Sequence, residues 1–417
     1  MMTVTDANTD LEDAATRRGV YVLRYATALG NRVVAVLDSD VPRIRELVAN
    51  AVALGRDDLS ALQGAIRAVE DARGLVFEAA LSQAAEELGT LAVHEEEATR
   101  AMVAAVMPVA PELRKVASTT LQALVNTEPF EGALLKQWWS SMASSEARRV
   151  RHAIRRGVVE GQAVEEVVRT IVGTRQARYR DGILDITRRN ARALVRTAVQ
   201  TYSSKARDLS MQANSDLVQG VKWISTLDGR TSAICRSRDG QLYPADSGPR
   251  PPAHWNCRSA VTPVLKTLED MGFTGLQDAH IEGSRPYVRS GSAVKDFPKL
   301  ARRQLKVEMG EARWKALSKA QRDALVKGRR DAMKAALIGR VPASTTYEQW
   351  LKRQPAAFQK DVLGAKRYDL FSKGKISMDR FVDEASGREY TLAELRAQAA
   401  RDAQLAMAWK QAFGEAV

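Results

Sequence analysis

The sequence predicts a mainly α protein: an extended helical body, a small β-containing knot and a small helical C-terminal module. Three observations carry that expectation. Ala, Arg, Leu, Val and Glu dominate while aromatic residues make up only 6% of the chain, a helix-forming palette. Apolar residues recur at three- and four-residue intervals over most of the length. A single stretch breaks the pattern, "TLDGRTSAICRSRDGQLYPADSGPRPPAHWNCR" at 226–258, which holds both cysteines of the chain and one of its four histidines. At 417 residues the chain exceeds what one core usually organises. Three regions are expected: a helical one over 1–125, a central one over 126–284 with the knot at about 220–265, and a basic helical one over 285–417.

In the first region, Asp40-Val41-Pro42 and Gly55-Arg56-Asp57-Asp58 read as helix starts or breaks, and "DDLSALQGAIRAVEDARGLVFEAALSQAAEELGTLAVHEEEATRAMVAAVM" reads as one or two long amphipathic helices. After the turn "NTEPFEGALL", a helix rich in arginine, a break at Gly157 and Gly161, and a second helix with Val164, Val167, Val168 and Ile171 in register are expected. A third helix, about 188–215, carries Val195, Val199, Tyr202, Ala206 and Leu209 as one stripe, the mark of a helical partner. "GVKWISTLDG" then switches to the alternation of a strand. Beyond about 285 basic helix resumes, and the last part ends in short helices with a capping box at Thr391 and Glu394.

Charge is divided unevenly. Residues 1–110 carry about seven more acids than bases, and 141–210 about eight more bases than acids, within a net charge of +13. A basic middle suits a polyanion, and Arg148, Arg151, Arg155 and Arg156, near one helix face, are the residues expected to meet DNA without regard to its sequence. The alternative for these arginines is pairing with Glu146, Glu160 or a neighbouring subunit. The N-terminus is acidic without an apolar core, and the apolar stretch "AMVAAVMPVA" is too short to span a bilayer, so neither a secretory signal nor a membrane partner is expected. Two cysteines argue for synthesis in a reducing compartment.

Within the knot, Asp228-Gly229 and Asp239-Gly240 are turn dipeptides, and Asp228 can accept backbone N–H bonds or pair with Arg230. Pro249, Pro251 and Pro252 stiffen the approach to His254. Cys235, His254 and Cys257 are ligand types suited to zinc, but a structural zinc needs four, so Asp228, Asp239 or Asp246 would have to complete the set. A Cys235–Cys257 disulfide and two reduced, packed thiols are the other readings of the same residues, and no cofactor is expected in the last of these. For catalysis, Cys257 and His254 sit too near in sequence to face one another by default. No second acid–base pair accompanies them, so no enzyme is expected.

The three pieces "LVRTAVQ", "VKWISTLDGRTSAICRSRDGQLY" and "PPAHWNCRS" together resemble the Mu F-like phage head morphogenesis family. The resemblance rests on Arg196-Thr197, then Trp223, Thr226, Asp228, Arg230, Thr231 and Cys235, then Pro251, Pro252, His254, Cys257 and Arg258. It covers about 150–265. Ala198 stands where many members have Glu, Ser259 where many have a final Cys, and Ser232 at a place that is Cys in some, so part of the zinc-binding set is missing here. The resemblance implies a structural minor capsid protein of a tailed double-stranded DNA phage, made in the host cytoplasm and carried in the capsid interior. Portal, scaffold or major capsid protein and the packaged DNA are the partners it implies. Arg196, Thr197, Trp223, Asp228, Arg230, Thr231, Cys235, His254, Cys257 and Arg258 would brace the knot. Two other classes fit the composition: an internal DNA-binding protein ejected with the genome, and a metal-dependent hydrolase or nuclease.

Overall fold

A computed structural model describes residues 4–55, 58–107, 112–267, 270–271, 284–288, 297–335 and 338–415. The chain is mainly α with small β elements. In order, the elements are α1 (Val4–Asp38), α2 (Val41–Ala53), α3 (Leu59–Val106), α4 (Ser118–Thr127), α5 (Leu135–Glu160), α6 (Val164–Val172), α7 (Ile183–Ala213), β1 (Val218–Ile224), α8 (Ala233–Arg238), β2 (Leu242–Pro244) and β3 (Ala260–Leu265). There follow β4 (Ser284–Val288), α9 (Phe297–Met309), α10 (Glu311–Ala316), α11 (Lys319–Ala335), β5 (Ile338–Pro342), α12 (Tyr347–Lys352), α13 (Ala356–Leu363), α14 (Ala365–Ser372), α15 (Leu392–Ala399) and α16 (Ala403–Phe413).

Two compact units result, and they do not follow chain order. Described residues within Arg17–Gly220 and Pro244–Lys266 form a helical unit; those within Met1–Thr16, Val221–Tyr243 and Thr267–Val417 form a C-terminal unit. The expected boundary at 125/126 falls inside the helical unit. Its main core gathers Leu29, Val33 and Leu37 of α1, Phe77, Leu88 and Leu91 of α3, Leu121 of α4, Trp139 of α5 and Val195, Val199 and Tyr202 of α7. The stripe read on α7 thus meets its helical partner, with Leu209 at the margin. A second core joins Ile44 and Val48 of α2, Ile66 and Val69 of α3, Val150 and Ile154 of α5 and Val167 and Ile171 of α6. The stretch Asn8–Ala53 is long and apolar enough to cross a bilayer by length and composition, and part of its apolar residues, Leu29, Val33, Leu37, Ile44 and Val48 among them, lie in these cores.

Local signals explain most boundaries. Asp58 caps α3 by accepting from the Ala61 amide at 2.8 Å, and Pro42 occupies the first turn of α2, where its missing N–H has no helical partner to lose. α3 is one helix of 48 residues, not two. Gly157 does not break α5: a Cβ there would lie 2.3 Å from Val167 Cγ2, so the glycine lets α6 pack closely, and Gly161, at φ 68°, ends the helix.

β1 has β2 on one side and β3 on the other. The C-terminal region is less uniformly helical than its composition implied, because Ser284–Val288 and Ile338–Pro342 pair as antiparallel strands on either side of α9–α11. Gly339 faces Tyr287 in that ladder, and a Cβ would meet the ring at 2.3 Å. Near the end, Thr391 Oγ1 accepts from the Glu394 amide at 3.2 Å and the Glu394 carboxylate accepts from the Thr391 amide at 2.7 Å, the expected capping box.

Candidate functional site

The first and third pieces of the motif bind each other inside the helical unit. Arg196 of α7 donates from Nη1 to Asn256 Oδ1 at 2.8 Å. One residue on, the buried Thr197 hydroxyl donates to Ala193 O and accepts from the Asn256 amide at 3.1 Å. A turn further, Gln200 donates to the carbonyl of Ser259. Residues three and four apart share a helix face, so one face of α7 reads the backbone of residues 256–259. Asn256 has φ 61°, a conformation that Asn adopts more readily than most residues. Asn256 and Gln200 escaped the sequence reading; the unusual tolerance of Asn at a turn was the available signal.

The approach to this segment is set by Arg250. Its Nε donates to Asp208 Oδ1 at 2.8 Å, while Nη1 reaches the carbonyls of Ser247 and Pro249 and Nη2 those of Pro244 and Ala245, all at 2.8–3.1 Å. Burial pushes the Asp208 carboxyl above the usual carboxylate range, against the opposing pull of Arg250. The loop is therefore wound around one guanidinium in addition to being stiffened by proline. The Pro251–Pro252 peptide is cis. Trp255 then stands edge-on to Trp138, ring centroids 5.2 Å apart, and to Phe130 at 6.1 Å.

His254 and Cys257 face each other, a geometry that their spacing alone does not guarantee. The Cys257 amide donates to the His254 carbonyl at 3.1 Å, closing a turn that turns both side chains to one side. A carbonyl only accepts, so His254 Nδ1 donates to Trp255 O at 2.9 Å. The ring also hydrogen-bonds the Cys257 side chain, which holds the imidazole above its ordinary pKa even though burial works the other way. Cys257 has no solvent-accessible surface, so the pair lacks the access that a nucleophile needs. Arg258 is half-buried beside it.

The middle piece belongs to the C-terminal unit. Trp223 is fully buried on β1, and its indole donates to Ser225 Oγ at 2.9 Å, which in turn donates to the Cys235 carbonyl at 2.7 Å. Cys235 is buried on α8, a short helix within the knot. The centre of this region is Asp239. Its carboxylate accepts from the Ser225 amide at 2.6 Å, the Tyr347 amide at 2.6 Å and both terminal nitrogens of Arg285, at 2.5 and 2.9 Å. Tyr347 Oη donates to the Asp228 carbonyl at 2.8 Å, and Arg236 pairs with Glu389 at 2.7 Å. No local sequence signal announced the Arg285, Tyr347 and Glu389 contacts, which span 46 to 153 residues.

Asp228 makes both expected contacts, to backbone N–H and to the Arg230 guanidinium, but they differ in weight. The Asp228 carboxylate accepts from the Arg230 amide at 2.9 Å and lies 3.2 Å from the Thr231 hydroxyl, which also reaches the Thr226 carbonyl. The Arg230 guanidinium stays 3.5 Å from Asp228 with its side chain 84% exposed, a surface contact of little energetic weight. Bracing therefore runs through Asp228 and the backbone. Arg230→Ala is expected to change stability by no more than about 0.5 kcal/mol, and Asp228→Ala to cost about 1–2 kcal/mol, as read from urea denaturation. Equal losses in the two variants would return the bracing role to the ion pair.

For metal binding, the soft donors present are Cys235, His254 and Cys257, and neither cysteine is in a disulfide. The carboxylates named to complete a tetrahedron are engaged elsewhere: Asp239 as above, Asp228 in its turn, and Asp246, exposed, with the Ser247 hydroxyl at 3.0 Å. The four-ligand set of a structural zinc is not assembled from those candidates.

Of the arginines expected to face DNA, Arg148, Arg155 and Arg156 are exposed on α5. Arg151 is instead paired with Glu70 at 2.6 Å, and Glu146, the suggested partner, is taken by Arg73 at 2.7 Å.

Residues 148–262 match the family described as Phage Mu protein F like protein, from the basic half of α5 to β3, so the resemblance carried by the three pieces holds over that region. No curated protein and no solved structure gives a significant match.

Proposed function

We propose that the chain is a structural minor head protein of a tailed double-stranded DNA phage, acting without catalysis in head morphogenesis. The observation that carries this reading is the use made of the family motif. Arg196, Thr197, Gln200, Trp223 and Asp228 spend their hydrogen bonds on the chain's own backbone and side chains, and Cys257 is buried, which is the economy of a scaffold. Portal, scaffold or major capsid protein is the proteinaceous partner in this reading, and the exposed arginines of α5 lie against packaged DNA in the capsid interior. Mass spectrometry of purified procapsids and virions tests it, with copy number referred to the portal. A stable, low copy number in both particles is expected; absence from both would overturn the assignment.

That basic face also fits an internal protein ejected with the genome, and particles emptied of DNA separate the two. Retention in emptied heads supports the structural role, and loss with the DNA supports ejection. The same reading carries no resident metal. Purified protein is expected to hold well under one zinc per chain by elemental analysis, whereas one-to-one zinc that disappears in Cys257→Ser would make the buried thiols ligands.

A further inference from the structure

The cations of α5 are not equivalent. At 100° per residue, Arg151, Arg155, Arg148, His152, Arg156 and Arg149 fall within an arc of roughly 160°, opposite the buried Val150, Ala153 and Gly157. Arg151 is neutralised by Glu70. Arg149, His152 and Arg156, at i, i+3 and i+7, line a cleft of about 610 Å³ closed by Ala153, Thr170 of α6 and Ile183 of α7. No carboxylate lines it.

Arg149 is the informative residue. Its Nη1 donates to Ser145 Oγ at 2.8 Å, but Nε and Nη2 are shut off from solvent and have no hydrogen-bond partner. Buried guanidinium donors left unmade are costly, and two guanidinium groups in one cleft repel each other. An anion with several acceptor oxygens offsets the repulsion, and a turn of the Arg149 side chain toward it would give Nε and Nη2 the acceptors they lack. The Thr170 hydroxyl is committed to the Glu166 carbonyl at 3.1 Å, so α5 supplies the donors. A phosphate group, whose oxygens point in several directions, matches two guanidinium forks and an imidazole better than a planar carboxylate does.

We infer that Arg149, His152 and Arg156 form a binding site for a phosphate group. For the source of that phosphate the inference rests on the genome-facing part of the proposed function; for its chemistry it does not.

Two measurements on the full-length chain test the site. The first is thermal melting in inorganic phosphate against chloride at equal ionic strength. Phosphate stabilises many proteins by exclusion, so the readout is the difference between variants. The native chain is expected to rise by about 2 °C more than Arg149→Gln/Arg156→Gln, while Arg148→Gln/Arg155→Gln, outside the cleft, responds like the native chain. Equal responses in all three overturn the site. Should the double variant fail to fold, Arg156→Gln alone, at an exposed position, takes its place and is expected to lose part of the response.

The second is fluorescence anisotropy on a 20-base-pair mixed-sequence duplex. The cleft variant is expected to bind at least about tenfold more weakly, with the salt slope reduced by about two units, and the control pair, whose charges face the same DNA without a cleft to seat a phosphate, to lose about threefold with a smaller fall in slope. Equal losses in both pairs describe a diffuse cationic face and overturn the site. A lost phosphate response with unchanged duplex binding keeps the site, assigns it to a free phosphate or small phosphate ester, and removes the genome-facing reading.

Discussion

Arg285→Ala is expected to destabilise the C-terminal unit by about 3–5 kcal/mol, one of the two largest single-residue effects anticipated here. The Asp239 carboxylate has no exposed side-chain surface, and Arg285, itself only 7% exposed, supplies two of its four hydrogen bonds. The same guanidinium donates to the carbonyls of Ser225 and Thr345. Removing it strands a buried charge, because the Ser225 and Tyr347 amides that remain carry no countercharge. Hydrogen exchange at those two amides gives the local reading, with protection falling in step with stability. Arg285→Met/Asp239→Asn is expected to recover part of the loss, since it removes both charges. A loss under about 1 kcal/mol in Arg285→Ala would sink the account of Asp239 as the centre of the middle motif piece.

Arg73→Ala is expected to cost a similar amount, about 3–5 kcal/mol, in the helical unit. From α3, Arg73 donates to Glu146 of α5 at 2.7 Å, to Asp40 ahead of α2 at 2.6 Å and to the Leu37 carbonyl ending α1 at 2.7 Å. One guanidinium thus closes a junction of four helices, and its loss leaves two acids with no cation. Burial already pushes the Asp40 carboxyl above the usual range, and Arg73 is what opposes it. Without Arg73 the folded-state value rises further, so the folded state binds more protons than the unfolded one as pH climbs from the ordinary carboxylate value. Stability then falls with rising pH across that window, and the deficit of Arg73→Ala is expected to be larger at pH 7 than at pH 4. A pH-independent deficit, measured by urea denaturation at both values, would show that lost packing dominates.

How much of this was legible in advance varied with the range of the interaction. The stripe Val195, Val199, Tyr202 and Ala206, the capping box at Thr391 and Glu394 and the Pro42 helix start were readable because each depends on residues within two turns. The turn at Asp228 is legible for the same reason, since the Arg230 amide and guanidinium it contacts lie two residues away. Gly157 was misread because a glycine that breaks a helix and one that admits a neighbour look alike until the neighbour, Val167, is known.

By itself the sequence determined the helical class, the place of the knot and the basic arc of α5, each from composition, period or spacing along one chain, and three quoted motif pieces carried the resemblance over about 150–265. Tertiary structure alone decided which charges survive as free ones. Arg73, Arg151, Arg250 and Arg285 find acids at separations of 33 to 81 residues, while Arg149 keeps two buried donors unmatched. Ion pairing acts over a few ångströms in space and is indifferent to distance along the chain, so only the packing of α2, α3, α5 and the segments around β1 brings those partners within reach.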